Sequence, residues 1–266
     1  MCLAAFALRA DPRFPLVIAA NRDEFFARPA TPMGWWLAGG TSILAGRDLG
    51  AGGTWMGLTQ VGRLALLTNV REPGRHNPTA PSRGALVVDW LASERDAGAF
   101  AATLVPGYNG FNLVAGDVRS NTWHWLRSGA AGAHALPAGI HGLSNAALDT
   151  PWPKTVGLKT AMAAALGACD STDTLVERLF VALADRSLPP DDALPDTGVG
   201  LVRERLLAPR FVRMPDPADP QRAVYGTRCA TVLVREAGGR TRVVERSVGA
   251  DGRWTGEVVH TLAHWP

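Results

Sequence analysis

Cysteine is scarce in this chain. The three thiols, Cys2, Cys169 and Cys229, are odd in number and far apart, and no C-x-x-C or Cys/His pair has zinc spacing. Such a set speaks against a disulfide framework and a structural zinc site. Runs of five like charges are missing, and aromatics do not interleave with basic clusters. The net charge of +3 therefore describes a solvated surface rather than a nucleic-acid footprint. Long apolar runs are missing as well: AMAAALGA at 161–168 is the longest, far short of the ~20 residues that span a bilayer. The N-terminal residues lack a basic n-region, and Arg9 and Asp11 interrupt the apolar stretch, so no signal peptide is expected. A cytoplasmic protein with no membrane span and no nucleic-acid partner is the expectation. Nothing in the sequence fixes its oligomeric state.

Familiar catalytic signatures are also absent. There is no G-x-x-x-x-G-K, H-E-x-x-H or G-x-S-x-G. GAGGTW at 50–55 lacks the third glycine of a dinucleotide fingerprint and precedes a strand rather than a helix. Of the histidines, His124 between Trp123 and Trp125 reads as strand packing. His76 and His141, in polar turns, are better candidates for acid–base or metal work.

What is present is ordinary globular composition, 47% hydrophobic and 19% charged over 266 residues, enough for a sizeable core in a single domain spanning 1–266. CLAAFAL (2–8) and PLVIAA (15–20) flank a turn at Asp11-Pro12 and predict an N-terminal hairpin. Strand-like segments follow at 41–46, 52–59 and 62–70, then a polar, proline-rich loop at 71–82. Ser82 is expected to cap a helix running to about residue 104, with Leu86, Val87, Trp90 and Leu91 on one face. A second hairpin is expected at 110–117 and 121–128, and helices near 154–167 and 172–186. An exposed connector at 187–199 leads to strands at 228–236, 241–248 and 253–262. Hairpins dominate and regular βαβ alternation is absent, which predicts an α+β fold with antiparallel sheets.

Polar residues gather at the predicted strand ends: Asn21, Arg22, Asp23 and Glu24; Thr68 and Asn69; Asn145; and Tyr225, Gly226, Thr227 and Arg228. Each alone is explained by turn formation or surface pairing. A cysteine directly after the initiator methionine is likewise unremarkable by itself.

Together they form a pattern. MC at the start, NRDE (21–24), GGTWMG (52–57), TNVRE (68–72), RGALVVDWL (83–91), YNGFNLVAGD (108–117), GLSNAALDTPWPKT (142–155) and YGTRCATVL (225–233) resemble the NRDE family, also called the transport and Golgi organisation 2 family. The resemblance runs from residue 2 to about residue 234, and the block at 139–155 is its most specific part. That family is similar to the cysteine N-terminal nucleophile hydrolases, the group of bile salt hydrolases, penicillin V acylase and acid-ceramidase-like amidases. The resemblance implies a four-layer αββα sandwich of two antiparallel sheets flanked by helices.

It also implies roles. Removal of Met1, favoured before a small residue, would leave Cys2 with a free α-amine of pKa about 7.7–8.0, able to take the proton of its own thiol. Arg22 or Arg228 would lie near the sulfur and favour thiolate, Asp23 would hold the amine, and Asn145, then Asn69, would donate to an oxyanion. One departure stands out: in the bile-salt-hydrolase group the corresponding Arg and Asp are two residues apart, whereas Arg22 and Asp23 are adjacent. Neighbours in a strand face opposite ways, so either the strand ends or bulges there, or Arg22 is structural and Asn21 turns inward. GGTWMG reads as architecture around Trp55, with Arg83 and Asp89 pairing or capping in the following helix, and Cys169 and Cys229 as small buried hydrophobes.

The implied function is an amidohydrolase or acyltransferase acting on a small linear non-peptide amide or acyl substrate through a Cys2 thioester, with no cofactor required. The alternative is a non-catalytic carrier of haem, acyl-CoA or lipid on the same scaffold, although C-x-x-C-H and an obvious axial-ligand pair are absent. A purely structural protein with a decayed site is the third reading.

Overall fold

The computed structural model describes residues 2–266. Strands β1 (Cys2–Leu8) and β2 (Leu16–Phe25) form the expected hairpin. The chain continues through β3 (Ala30–Ala38), β4 (Thr41–Asp48), β5 (Met56–Thr59) and β6 (Arg63–Asn69), then helices α1 (Gly84–Ala92) and α2 (Ala97–Ala101), then β7 (Phe111–Asp117), β8 (Thr122–Arg127) and β9 (His134–Ala135). β10 (Gly139–Leu143), α3 (Pro153–Ala168), α4 (Thr172–Leu183), α5 (Leu201–Leu207), β11 (Arg213–Pro215), β12 (Ala223–Arg235), β13 (Thr241–Val248) and β14 (Trp254–Leu262) complete it. The α+β class with antiparallel sheets is the one predicted. Two compact units emerge, one from residues 2–27 and 138–264, the other from 28–137 and 265–266.

In the first unit the sheet order is β10-β1-β2-β12-β13-β14, with β11 on the side of β12, and every pairing is antiparallel. Alternation divides its residues cleanly between faces. Leu3, Ala5, Ala7, Val17, Ala19, Ala230, Val232 and Val234 pack against Leu158 and Met162 of α3 and Leu175, Leu179 and Phe180 of α4. Cys2, Ala4 and Phe6 point the other way, and they too are buried.

The second unit is a sheet of order β3 to β9 in sequence. Ile43, Ala45, Ala65, Leu67, Leu113 and Ala115 meet Leu86, Val87, Trp90 and Leu91 of α1. Gly53 permits this packing, because a Cβ there would lie 2.5 Å from the Gly84 carbonyl carbon and 2.7 Å from its oxygen. Each unit thus supplies one sheet and helices packed against it, the ingredients of the layered arrangement expected.

Several expectations are corrected. NRDE lies inside β2, not after it, because β12 pairs with it as far as Phe25. The single helix predicted from Ser82 to about 104 is two. Arg83 is the N-cap residue and makes no side-chain cap. Arg63 of β6, lying 3.7 Å over the Trp90 ring, donates to the carbonyls of Trp90 and Arg95 and so terminates α1, while Asp96 accepts from Ala99 N–H to start α2. β3 and α5 had no counterpart in the sequence reading, and His141 lies in β10 rather than in a turn.

Candidate functional site

The register of the first sheet creates a lateral row. Cys2 is opposite Arg22, Arg22 is opposite Cys229 on its other side, and Cys229 is opposite Ser247. Directly paired residues project to the same face, so Cys2, Arg22 and Cys229 share the face turned away from α3 and α4. All three are buried. The β1–β10 register ends with Ala4 opposite Leu143, and just beyond it the segment that carries Asn145 approaches Cys2. Ser144 fixes this approach: its hydroxyl lies 3.2 Å from both the Cys2 carbonyl oxygen and Asn145 Oδ1.

Asn21 and Asp23 project to the opposite face from Arg22. Asn21 does not turn toward Cys2; its Nδ2 donates to the carbonyls of Leu183 and Arg210 at 2.9 and 2.8 Å, tying the end of α4 to the sheet. Asp23 is buried at the edge of this face, where Thr227 Oγ1 donates to its Oδ1 at 2.8 Å. Thr227 Oγ1 in turn accepts from Val212 N–H. The Tyr225 hydroxyl donates to the Asp23 carbonyl, and the Asp23 main-chain N–H acts to lower the Cys2 thiol. Adjacency therefore resolves without contradiction: Arg22 offers its side chain to the face of Cys2, and Asp23 offers its main chain to the sulfur.

A β-bulge accounts for Arg228. Thr227 pairs with Asp23 and Cys229 with Arg22, so Arg228 is the extra residue and its side chain is re-aimed. Its Nη1 donates to the Phe25 carbonyl at 2.8 Å, and the guanidinium lies over the Phe26 ring. Glu24 accepts from the neighbouring Phe25 N–H, a local bond. Asn69 is the last residue of β6, opposite Phe111, and belongs to the second unit. Its neighbour Thr68 accepts from Asn112 Nδ2. The structure thus gathers Cys2, Arg22, Asp23 and Asn145 within one end of the first sheet, with Arg228 at the adjoining bulge.

Electrostatics at this end are mixed. Burial pushes the Cys2 thiol up, the Asp23 carboxylate adds to that rise, and Arg22 and the Asp23 N–H oppose it. Burial lowers the Arg228 guanidinium, with the Arg22 charge acting in the same direction. Cys229 is held well above the ordinary thiol value of 9.0 by burial, then by the Glu245 carboxylate, with which it hydrogen-bonds. Glu245, itself buried, accepts from Thr231 Oγ1 at 3.2 Å.

Sequence reasoning passed over Ser144, Cys229, Glu245 and Asp149. Cys229 is buried, as the sequence leads one to expect, and the bulge at Arg228 is what aligns it with Arg22. Ser144 could have been noticed as the neighbour of Asn145. His141, weighed as a candidate, has its Nδ1 3.0 Å from Asp149 Oδ2 and its ring stacked on Phe6. Among the described residues, no group of three or more His, Cys, Asp or Glu side chains is arranged to hold a metal ion, and no helix is long and apolar enough to cross a membrane.

Residues 1–250 match the family described as Transport and Golgi organisation 2. A Bos taurus protein named Transport and Golgi organization protein 2 homolog is 36% identical over 277 residues, covering 96% of each chain. A Homo sapiens protein of the same name is 33% identical over 286 residues, covering 100% of this chain and 96% of its own. Among solved structures, a Caenorhabditis elegans N-acylethanolamine-hydrolyzing acid amidase ortholog aligns at a TM-score of 0.49 with 12% identity, covering 88% of this chain and 92% of that one. A mutant conjugated bile acid hydrolase from Clostridium perfringens aligns at 0.43 with 8% identity, covering 99% and 97%. By its sequence, this chain belongs to the Transport and Golgi organisation 2 family.

Proposed function

We propose that this protein is a cysteine amidohydrolase or acyltransferase in which Cys2, freed by removal of Met1, attacks a linear non-peptide amide or a related acyl compound. The observation that carries the reading is the position of Arg22 directly across from Cys2, with Asn145 linked to the Cys2 carbonyl through the Ser144 hydroxyl.

The chemistry follows from a thiol that burial keeps protonated. Such a nucleophile needs a base that takes its proton as the sulfur attacks. The freed α-amine, on the same residue and with an ordinary pKa of about 7.7–8.0, serves that role. As the S–C bond forms, the carbonyl oxygen becomes an oxyanion, and the Asn145 amide donates to it; one such donor lowers the barrier by about 2.7–4 kcal/mol. Arg22 stabilises negative charge on the sulfur. The α-ammonium returns its proton to the departing amine as the C–N bond breaks. Water, deprotonated by the same amine, then cleaves the thioester; an acceptor amine or alcohol in its place gives acyl transfer.

The test is mass spectrometry of protein purified from cells. Loss of Met1 is expected, followed by a single acyl adduct on residue 2 after exposure to a p-nitrophenyl ester, and no adduct in Cys2→Ala. Retention of Met1, or equal turnover by Cys2→Ala, overturns the reading. A carrier of haem or acyl-CoA would instead bind its ligand saturably without forming an adduct.

A further inference from the structure

The loop that presents Asn145 is an excursion of the chain between Ser144 and Asp149, and it is closed at its base by one residue. Asp149 N–H donates to the Gly142 carbonyl at 2.8 Å, and Gly142 N–H donates back to Asp149 Oδ1 at 2.8 Å. The residue takes a left-handed conformation, φ 55°, a strained choice for a non-glycine that the paired bonds hold in place. Its carboxylate then reaches both sides of the edge strand β10. His141 Nδ1 lies 3.0 Å from Oδ2, and Lys159 of α3 pairs with Oδ1. His141 is paired with Phe6 and so lies on the face of Cys2, whereas Gly142 is paired with Ala5 and faces the helices. Close approach of α3 is built in here: a Cβ on Gly142 would lie 2.5 Å from Thr155 Cγ2 and 2.8 Å from Lys159 Cδ. A further bond, from Thr150 Oγ1 to the Ala147 carbonyl at 2.8 Å, tightens the return of the loop.

We infer that Asp149 is the positioning residue of the acylation site, locking the loop 144–149 to β10 and α3 so that the Asn145 amide is held at the place where the oxyanion forms. The inference rests on the proposed Cys2 chemistry. A preorganised donor is effective only when its support leaves it no freedom to retreat. Ser144 ties the front of the loop to the Cys2 carbonyl, and Asp149 ties the back, so Asn145 is held from both ends.

Two reactions of the same sulfur separate this role from a merely structural one. Acylation by p-nitrophenyl butyrate passes through an oxyanion; alkylation by iodoacetamide does not. The ratio of the two rates at residue 2, followed by peptide mapping, reports the donor alone. Asn145→Ala and Asp149→Ala are each expected to lower the ratio, the latter by about tenfold because the donor is displaced rather than removed. The double variant should fall no further than Asn145→Ala, since the two act as a unit. Asp149→Asn, whose Oδ1 still accepts from Gly142 N–H, should recover most of the ratio. Should Asp149→Ala not fold, Asp149→Glu serves. It keeps the charge beside Lys159 but cannot place the carboxylate on Gly142 N–H without moving the loop, and it must lower the ratio. A parent-like ratio in Asp149→Ala, or in Asp149→Glu, alongside a lowered one in Asn145→Ala, overturns the positioning role and leaves the Cys2 chemistry standing. Independent, multiplicative losses in the double variant overturn it as well. Absence of acylation in the parent protein overturns both.

Discussion

Arg22 stands directly across from Cys2 in the β1–β2 register, both side chains on the sheet face away from α3 and α4. The guanidinium is the one side-chain charge on this row that favours thiolate, set against burial and the Asp23 carboxylate. Its removal has a definite sign. Arg22→Met withdraws a positive charge, so the Cys2 thiol rises further, less thiolate is present at any given pH, and the midpoint of iodoacetamide alkylation at residue 2 moves to higher pH. A midpoint that moves to lower pH would show that Arg22 does not act on the sulfur.

Asn21, the neighbour of Arg22, serves the opposite face. Its amide holds two carbonyls, those of Leu183 and Arg210, which Asn21→Ala would leave without this donor. The expected loss is about 1–3 kcal/mol in denaturant unfolding, with the pH profile of Cys2 alkylation unchanged. Asn21→Asp should be at least as damaging, since it aims a carboxylate at two carbonyl oxygens. Parent-like stability in both variants would contradict this assignment.

That division of labour within NRDE shows what a sequence can and cannot disclose. Alternation already required Arg22 and Asp23 to face opposite ways, and the residue types marked the block as chemistry-bearing. Which of the two faces is covered depended on where α3 and α4 pack, and those helices come from residues 153–183, far from the hairpin in sequence. Cys229 illustrates the same limit. Its place beside Arg22 depends on a bulge that adds one residue between Thr227 and Cys229, and no turn residue or glycine marks that position. The hairpins 2–8/15–20 and 110–117/121–128 were legible because both their strands and their turns are local. The break between α1 and α2 was not, because it is made by Arg63 from a strand distant in sequence.

Gly53 offers a test within the second unit. The atoms that an added Cβ would meet are backbone atoms of Gly84, at 2.5 and 2.7 Å, and no rotamer change can relieve them. Gly53→Ala must push the start of α1 off the β4–β5 connection, separating Leu86, Val87 and Trp90 from the sheet they cover. An overpacking loss of about 1–3 kcal/mol or more is expected, read as a lowered denaturant midpoint. An unchanged midpoint would mean that α1 is not seated as described.

Cys229 carries a prediction about alkaline pH. Its thiol is held well above 9.0 in the folded chain, by burial first and then by Glu245, whereas in the unfolded chain it titrates near the ordinary value. Below that value both states keep the proton, and the contribution to stability is fully present. As pH rises past it, the unfolded chain releases a proton that the folded chain retains, and stability falls by about 1.4 kcal/mol per pH unit for each thiol so held, until the folded pKa is reached. Cys2, raised in the same direction, contributes its own share. Serine does not ionise in this range, and its hydroxyl can still donate to Glu245. Cys229→Ser should therefore lose stability less steeply than the parent between about pH 8.5 and pH 10.5, while the two chains behave alike in shape below the thiol range. Denaturant unfolding at several pH values measures the difference. Parallel alkaline slopes would show that Cys229 already ionises freely in the folded protein, and would remove the buried Cys229–Glu245 bond from the account of this row.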